Sequence, residues 1–153
     1  GGVRVQTVFW RPGKVAPRVP SELGMILDLY ATIATITGID ASTAVDVVDL
    51  THSLFTGAAS PRKAVALYRK GELRAYRKGD YKLHLFDRAQ GGSLLETPEL
   101  YNLKRDVAEQ ENIAAKHPKI VEDLLRAVET HHATMTRKPP LFDQRFLNSP
   151  SNE

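Results

Sequence analysis

The chain has 153 residues, 42% of them apolar, a formal charge of +3 and no cysteine. That length allows one real core, and the missing cysteine excludes a disulfide, a thiolate metal site and a cysteine nucleophile. No run of about 18 apolar residues reads as a membrane span, and no signal-peptide pattern follows Gly1-Gly2, an abrupt opening expected of a piece of something longer.

Val3 to Trp10, VRVQTVFW, is rich in β-branched and aromatic residues and predicts a strand. Pro12-Gly13 ends it, and Pro17 and Pro20 keep the next segment extended. Ser21 fits an N-cap, and Leu23, Ile26, Leu27, Tyr30, Ile33, Ala34 and Ile36 follow helical spacing up to Gly38, a natural C′ stop. Asp28 on that helix reads as a solvated or locally bonded carboxylate, since no partner cluster lies near it in sequence. A loop and a short helix over about Thr51–Phe55 come next. Asp46, Asp49 and His52 recur every three residues, a spacing that could hold a metal on a helix. Both aspartates fall in the loop, so capping of the short helix by Asp49 is the better account.

Ser60-Pro61 opens a basic region. Ala64 to Tyr68 starts a meander, and Leu73, Ala75, Tyr81, Leu83 and Leu85 recur with a period near two, the half-buried strand pattern. Lys78-Gly79-Asp80 supplies the tight hairpin between two such runs. A polar, glycine-rich loop spans 86–93, and Pro98 to Leu103 forms a further alternating run. Pro118 sits in the first turn of a last helix whose stripe comprises Ile120, Val121, Leu124, Leu125, Val128 and Met135, with His132 continuing it. His131 and His132 point about 100° apart and cannot share a metal from a regular helix. Pro139-Pro140 and the polar end read as a tail.

Arg62, Lys63, Arg69, Lys70, Arg74, Arg77, Lys78 and Lys82 crowd the hairpin, a stripe that is either a solvated face or an attractor of polyanions. Alternation puts Arg74 and Tyr76 on one face and Arg77 on the other, so a broad positive rim is expected rather than one dense anion pocket.

The order of these motifs carries a resemblance. Arg77-Lys78-Gly79-Asp80-Tyr81-Lys82-Leu83, then Glu99-Leu100-Tyr101, Leu103, Asp106, Glu109, Asn112, Ala114 and His117-Pro118, resembles the C-terminal subdomain of the arylsulfatase family, whose pattern is R-x-G-D-[WY]-K-L followed by E-L-Y-D-L-x-x-D-P-x-E-x-x-N-L-A-x-x-H-P. Asn102, Val107 and Ile113 replace its usual Asp, Pro and Leu. The opening strand, the first helix and the segment Val45–Gly57 are similar to further stretches of the family, with Gln6, Ala31 and Val47 as departures.

The resemblance implies sulfate-ester hydrolysis by a parent enzyme with a formylglycine nucleophile and a bound calcium. No C/S-x-P-x-R motif for the first occurs here, and no aspartate pairs for the second; the family's activating lysine lies just upstream of the position of Gly1. The catalytic kit is therefore expected before residue 1, and the chain alone is expected to be inactive, with no cofactor of its own. A secreted, periplasmic or lysosomal location is implied by the family only.

The fold expected is α+β: an antiparallel sheet of about four strands over 64–103, covered by the C-terminal helix, plus an N-terminal strand and helix that dock on a catalytic domain. The organisation expected is 1–59 as the edge of that domain, 60–136 as the C-terminal subdomain and 137–153 as the tail. Arg74, Lys78, His84 and Arg88 are the candidates for a substrate-facing rim, with no catalytic or metal-ligating residue. The expected partners are the upstream catalytic domain and a sulfated substrate, without membrane or nucleic acid. Two other functions fit the same residues: a stand-alone module binding an anionic glycan or nucleic acid, and the tail of a related phosphatase or phosphonate hydrolase.

Overall fold

The computed structural model describes residues 5–19, 23–40, 46–88 and 92–135. The proposed N-cap Ser21, residues 3–4 of the first expected strand, the centre of the 86–93 loop and the tail from Arg137 lie outside these residues.

Four strands, β1 (Ala64–Arg69), β2 (Glu72–Lys78), β3 (Tyr81–Phe86) and β4 (Leu94–Asn102), form an antiparallel sheet in sequence order. The first two hairpin turns use left-handed backbone. Lys70 and Gly71 have φ of 52° and 78° between β1 and β2, which suits a type I′ turn. Between β2 and β3, Lys78 pairs with Tyr81 and Gly79 takes φ 58°, a value glycine adopts without a Cβ clash.

The register sorts side chains onto two faces. Ala66, Tyr76, Leu83 and Leu100 align across all four strands. Tyr76, Leu83 and Leu100 join Leu73 in one core with Leu124 and Val128 of the last helix, α3 (Pro118–Thr134). Two shorter helices, α1 (Asp28–Thr37) and α2 (Thr51–Thr56), precede the sheet in the chain. Leu83 and Leu100 are fully buried, each worth roughly 1.5–3 kcal/mol. The other face carries the rows Arg77–Lys82–Tyr101 and Ala75–His84–Glu99. Pairing passes from Leu67–Ala75 to Tyr68–Leu73 and skips Arg74. This bulge takes Arg74 out of the alternation expected for it, as an extra residue in one strand does.

The α3 stripe ends sooner than the sequence suggests. Leu124 and Val128 are buried and Ile120, Val121 and Leu125 partly so, but His132 and Met135 are exposed. A 17-residue helix is about 25 Å long, and strands of six or seven residues span roughly 20 Å, so its last turn overruns the sheet. His131 makes the final contact, through a 2.9 Å hydrogen bond with the Tyr68 hydroxyl.

The N-terminal region departs further. Residues 5–10 form no strand, and Val5, Val8 and Trp10 are 76%, 88% and 81% exposed. No neighbour among the described residues offers them a ladder, and a lone strand leaves its amides unpaired. Helix α1 (Asp28–Thr37) does end at Gly38, with φ 73°. Its buried residues are Asp28, Ala31, Thr32 and Ala34, while Ile26, Tyr30 and Ile33 are exposed, the reverse of the apolar stripe. Polar bonds decide which face turns in. Asp28 Oδ1 accepts the Val48 N–H at 3.0 Å and Thr32 Oγ1 the Leu50 N–H at 3.0 Å.

Asp28 is likewise neither solvated nor only locally bonded. It is fully buried and takes the Arg62 guanidinium through Nε at 2.6 Å and Nη2 at 2.5 Å. Burial pushes its carboxyl up, but the hydrogen bonds from Arg62, Val48 and Met25 and the Arg62 charge outweigh that and hold it below the ordinary carboxylate range. Helix α2 (Thr51–Thr56) forms as expected, and Asp49 accepts the N–H of its first residue, Thr51, at 2.8 Å.

Candidate functional site

Beyond β4 the chain turns back across the sheet face opposite α3, and polar side chains brace that return. Asp106 Oδ2 accepts the N–H groups of Gln110 and Glu111 at 2.7 and 2.9 Å. Asn112 Oδ1 accepts those of Leu100 and Ala114 at 3.1 and 3.0 Å. The turn closes with Val107, rather than proline, on its exposed side. These bonds hold Glu109 in left-handed backbone at φ 56°, which is uncommon for a residue with a Cβ and has to be imposed by its surroundings.

Three basic side chains converge on Glu109. Its carboxylate accepts Lys82 Nζ at 2.6 Å and His84 Nε2 at 2.9 Å, and its backbone carbonyl accepts Arg88 Nη1 at 2.7 Å. Lys82 and His84 alternate onto this face from β3, which is why both reach one carboxylate. The Arg88 guanidinium also lies 5.0 Å from the Tyr101 ring centroid, and His84 meets Tyr101 edge-on at 5.6 Å. The Tyr101 hydroxyl donates to Glu99 at 2.8 Å.

Burial pushes the Glu109 carboxyl up, but its bond with Lys82, the Lys82 charge and the contact with the His84 ring, which is charged only at acid pH, outweigh this and bring it below its ordinary range. Burial together with the Lys82 and Arg88 charges lowers His84 despite the neighbouring carboxylate, so the ring is neutral at pH 7. Burial and Glu99 push Tyr101 up to about 12, leaving it a hydrogen-bond donor.

The four rim candidates do not form one group. His84 and Arg88 meet at Glu109. Arg74 stacks over Phe86 at 4.1 Å and bonds Glu72 Oε2 at 2.8 Å and the Gly92 carbonyl at 2.5 Å. Lys78 is exposed at the β2–β3 turn, about 13 Å along the strand from Arg74. Lys82, Glu99, Tyr101 and Glu109, which complete the cluster, were not among the candidates. Their signal lay in the family motif itself, in Lys82, Glu99, Tyr101 and Glu109, but only the register shows that they meet. The cluster pairs its charges, Lys82 with Glu109 and, at 3.9 Å, Arg88 with Glu99. Arg69 and Lys70 stand exposed at one end of the sheet and Lys78 at the other, so the cations are spread, not concentrated.

Among the described residues, no group of three or more His, Asp or Glu is placed to hold a metal ion, Asp46, Asp49 and His52 included. The donor set here does not fit the family's calcium, which needs several oxygens converging, and the chain contains no cysteine to become formylglycine.

The chain is 31% identical to arylsulfatase A of Bos taurus over 150 residues, covering 84% of this chain and 30% of that protein. It is 33% identical to N-acetylgalactosamine-6-sulfatase of Canis lupus familiaris over 89 residues, covering 56% of this chain and 17% of that protein. The chain thus spans about three tenths of the arylsulfatases it matches. In fold it is similar to a Pseudoalteromonas sulfatase, with a TM-score of 0.59 at 24% identity over 71% of this chain and 25% of that one. A protein solved with its substrate D-glucosamine-2-N,6-O-disulfate gives a TM-score of 0.52 at 21% identity, over 82% of this chain and 25% of that one. The family model for the C-terminal region of aryl-sulfatase matches residues 60–152, more than half of the chain, and includes the sheet, the Glu109 turn and α3. The chain belongs to the C-terminal region of the aryl-sulfatase family.

Proposed function

We propose that this chain works as the C-terminal part of an arylsulfatase-type enzyme that hydrolyses sulfate esters. It completes the fold, and the sheet face bearing His84 and Arg88 forms part of the active-site rim. The observation that carries this reading is the convergence of Lys82, His84 and Arg88 on Glu109. Such a buried, partly cationic cluster on backbone held in an unusual conformation is more than a small sheet needs for packing. The nucleophile and the metal ligands belong to the catalytic part of the enzyme, so this chain alone turns nothing over. The exposed side chains of Tyr30 and Ile33 on α1, and of Ile26 just before it, fit burial against that catalytic part.

Kinetics of the complete enzyme on an aryl sulfate test the rim. Arg88→Ala raises KM about two- to five-fold, the size of an exposed charge contact, and leaves kcat unchanged, the signature of lost uniform binding. The effect shrinks with salt, because screening sets in over about 8 Å at physiological strength. Lys78→Ala, at the hairpin end, changes KM less. An unchanged KM for Arg88→Ala at low salt removes the rim role. Turnover by the purified chain, abolished by a mutation within it, overturns the larger reading.

A further inference from the structure

Glu109 has an effect on His84 that packing alone does not require. An ionised carboxylate only accepts hydrogen bonds, and Glu109 Oε2 lies 2.9 Å from His84 Nε2. Nε2 therefore carries the proton. No hydrogen bond reaches Nδ1 from the described residues. Among those residues, Arg74 Nε is the single buried side-chain nitrogen or oxygen without a partner, so Nδ1 keeps contact with solvent. The groups facing the ring are Lys82 from its own strand, Arg88 beyond it, Glu99 and Tyr101 from β4, and Glu109. Two cations and burial keep a second proton off, so Nδ1 presents a bare lone pair.

We infer that Glu109 is a positioning residue that locks His84 as the Nε2–H tautomer, and that His84 Nδ1 thereby offers the rim an acceptor for a hydroxyl or N–H of the substrate rather than a cation for its sulfate. The second half rests on the rim reading above; the first does not. It also divides the labour of the face. Arg88, stacked on Tyr101 and exposed, supplies the charge that attracts a sulfated molecule, and His84 reads the uncharged donor beside the sulfate. Loss of the Glu109 charge makes the ring harder still to protonate, since that charge is what opposes the lowering.

Nitrogen-15 NMR of the His84 ring in the full chain tests the positioning without any substrate. At pH 7 the spectrum shows a neutral ring with an Nε2–H proton protected from exchange. Glu109→Gln, which keeps an acceptor oxygen but not the charge, retains that tautomer and moves the titration midpoint to lower pH. Glu109→Ala loses the protected proton. An imidazolium at pH 7, an Nδ1–H tautomer, or a Glu109→Gln midpoint that stays in place overturns the role of Glu109. In the complete enzyme, KM for an aryl sulfate carrying a neighbouring hydroxyl rises as pH falls through the His84 midpoint, because protonation turns the acceptor into a donor. If the NMR is as stated and that KM stays flat, the acceptor role is overturned while the positioning stands.

Discussion

Two regions of this molecule are held in opposite ways. Residues 60–135 close around apolar side chains, with Leu73, Leu83 and Leu100 of the sheet against Leu124 and Val128 of α3. Among the described residues of 5–59 Leu50 is buried, but many large apolar side chains face solvent, with Trp10 and Val8 more than four-fifths exposed. They attach to the sheet region through polar bonds. Asp28 takes Arg62, whose Nη2 also donates to the Asp46 carbonyl at 2.8 Å, and the Ser60 hydroxyl donates to the Leu23 carbonyl at 2.6 Å. The difference shows how a small region without a core of its own can still be fixed in place. A buried ion pair with every oxygen satisfied gives geometry at little net gain, but it is costly to break.

The largest effect should come from breaking that clasp. Asp28→Ala leaves the largely buried Arg62 guanidinium without its carboxylate, with the Asp46 carbonyl as its remaining acceptor, and should cost about 3–5 kcal/mol of the attachment, read by denaturant unfolding with a probe in α1. Next is the apolar region. Leu124→Ala should cost about 2–5 kcal/mol as a packed core truncation, and Leu125→Ala less, because Leu125 is only partly buried. Equal losses for the two variants would show that α3 packs through a different face.

Acid should act on both regions, in two stages. His84, Glu109 and Asp28 all have lowered values in the folded chain. The folded state therefore binds fewer protons than the unfolded one as pH falls, and stability drops. The His84 share is present above its ordinary value near 6.5 and is lost as pH falls from there through its folded value. The shares of Glu109 and Asp28 are present above 4.5 and 3.8 and are lost as pH falls below them. Thermal melts from pH 8 to pH 3 should decline in that order, and His84→Gln should remove the upper stage. Stability that rises on acidification to pH 5 would contradict the assignment.

The sheet and α3 were legible because their signals are local. A period near two, Gly79 at a turn and Pro118 at a helix start each act within a few residues. Side chains whose partners lie far along the chain were not legible. Asp28 reads as an ordinary helix carboxylate until Arg62 is folded against it, and that pair, with Thr32, turns the apolar stripe of α1 outward. Arg74 left its expected place because a bulge is set by pairing, not composition. Of the residues expected at a rim, His84 and Arg88 could be named from the basic hairpin and the loop after it, whereas Glu109, though part of the family motif, reads as one more acid in a turn until the β3 register brings Lys82 and His84 to it. The strand pattern over 3–10 gave a propensity without the neighbour that makes a ladder.

Hydrogen exchange on the Asp28→Ala chain tests most directly whether the two regions are held independently. Amides of α1 and α2 should lose protection, while those of β1–β4, α3 and the turn carrying Glu109 should keep theirs. Loss of protection spread evenly over the sheet and α3 would contradict this, and would mean that the apolar core does not stand without the clasp.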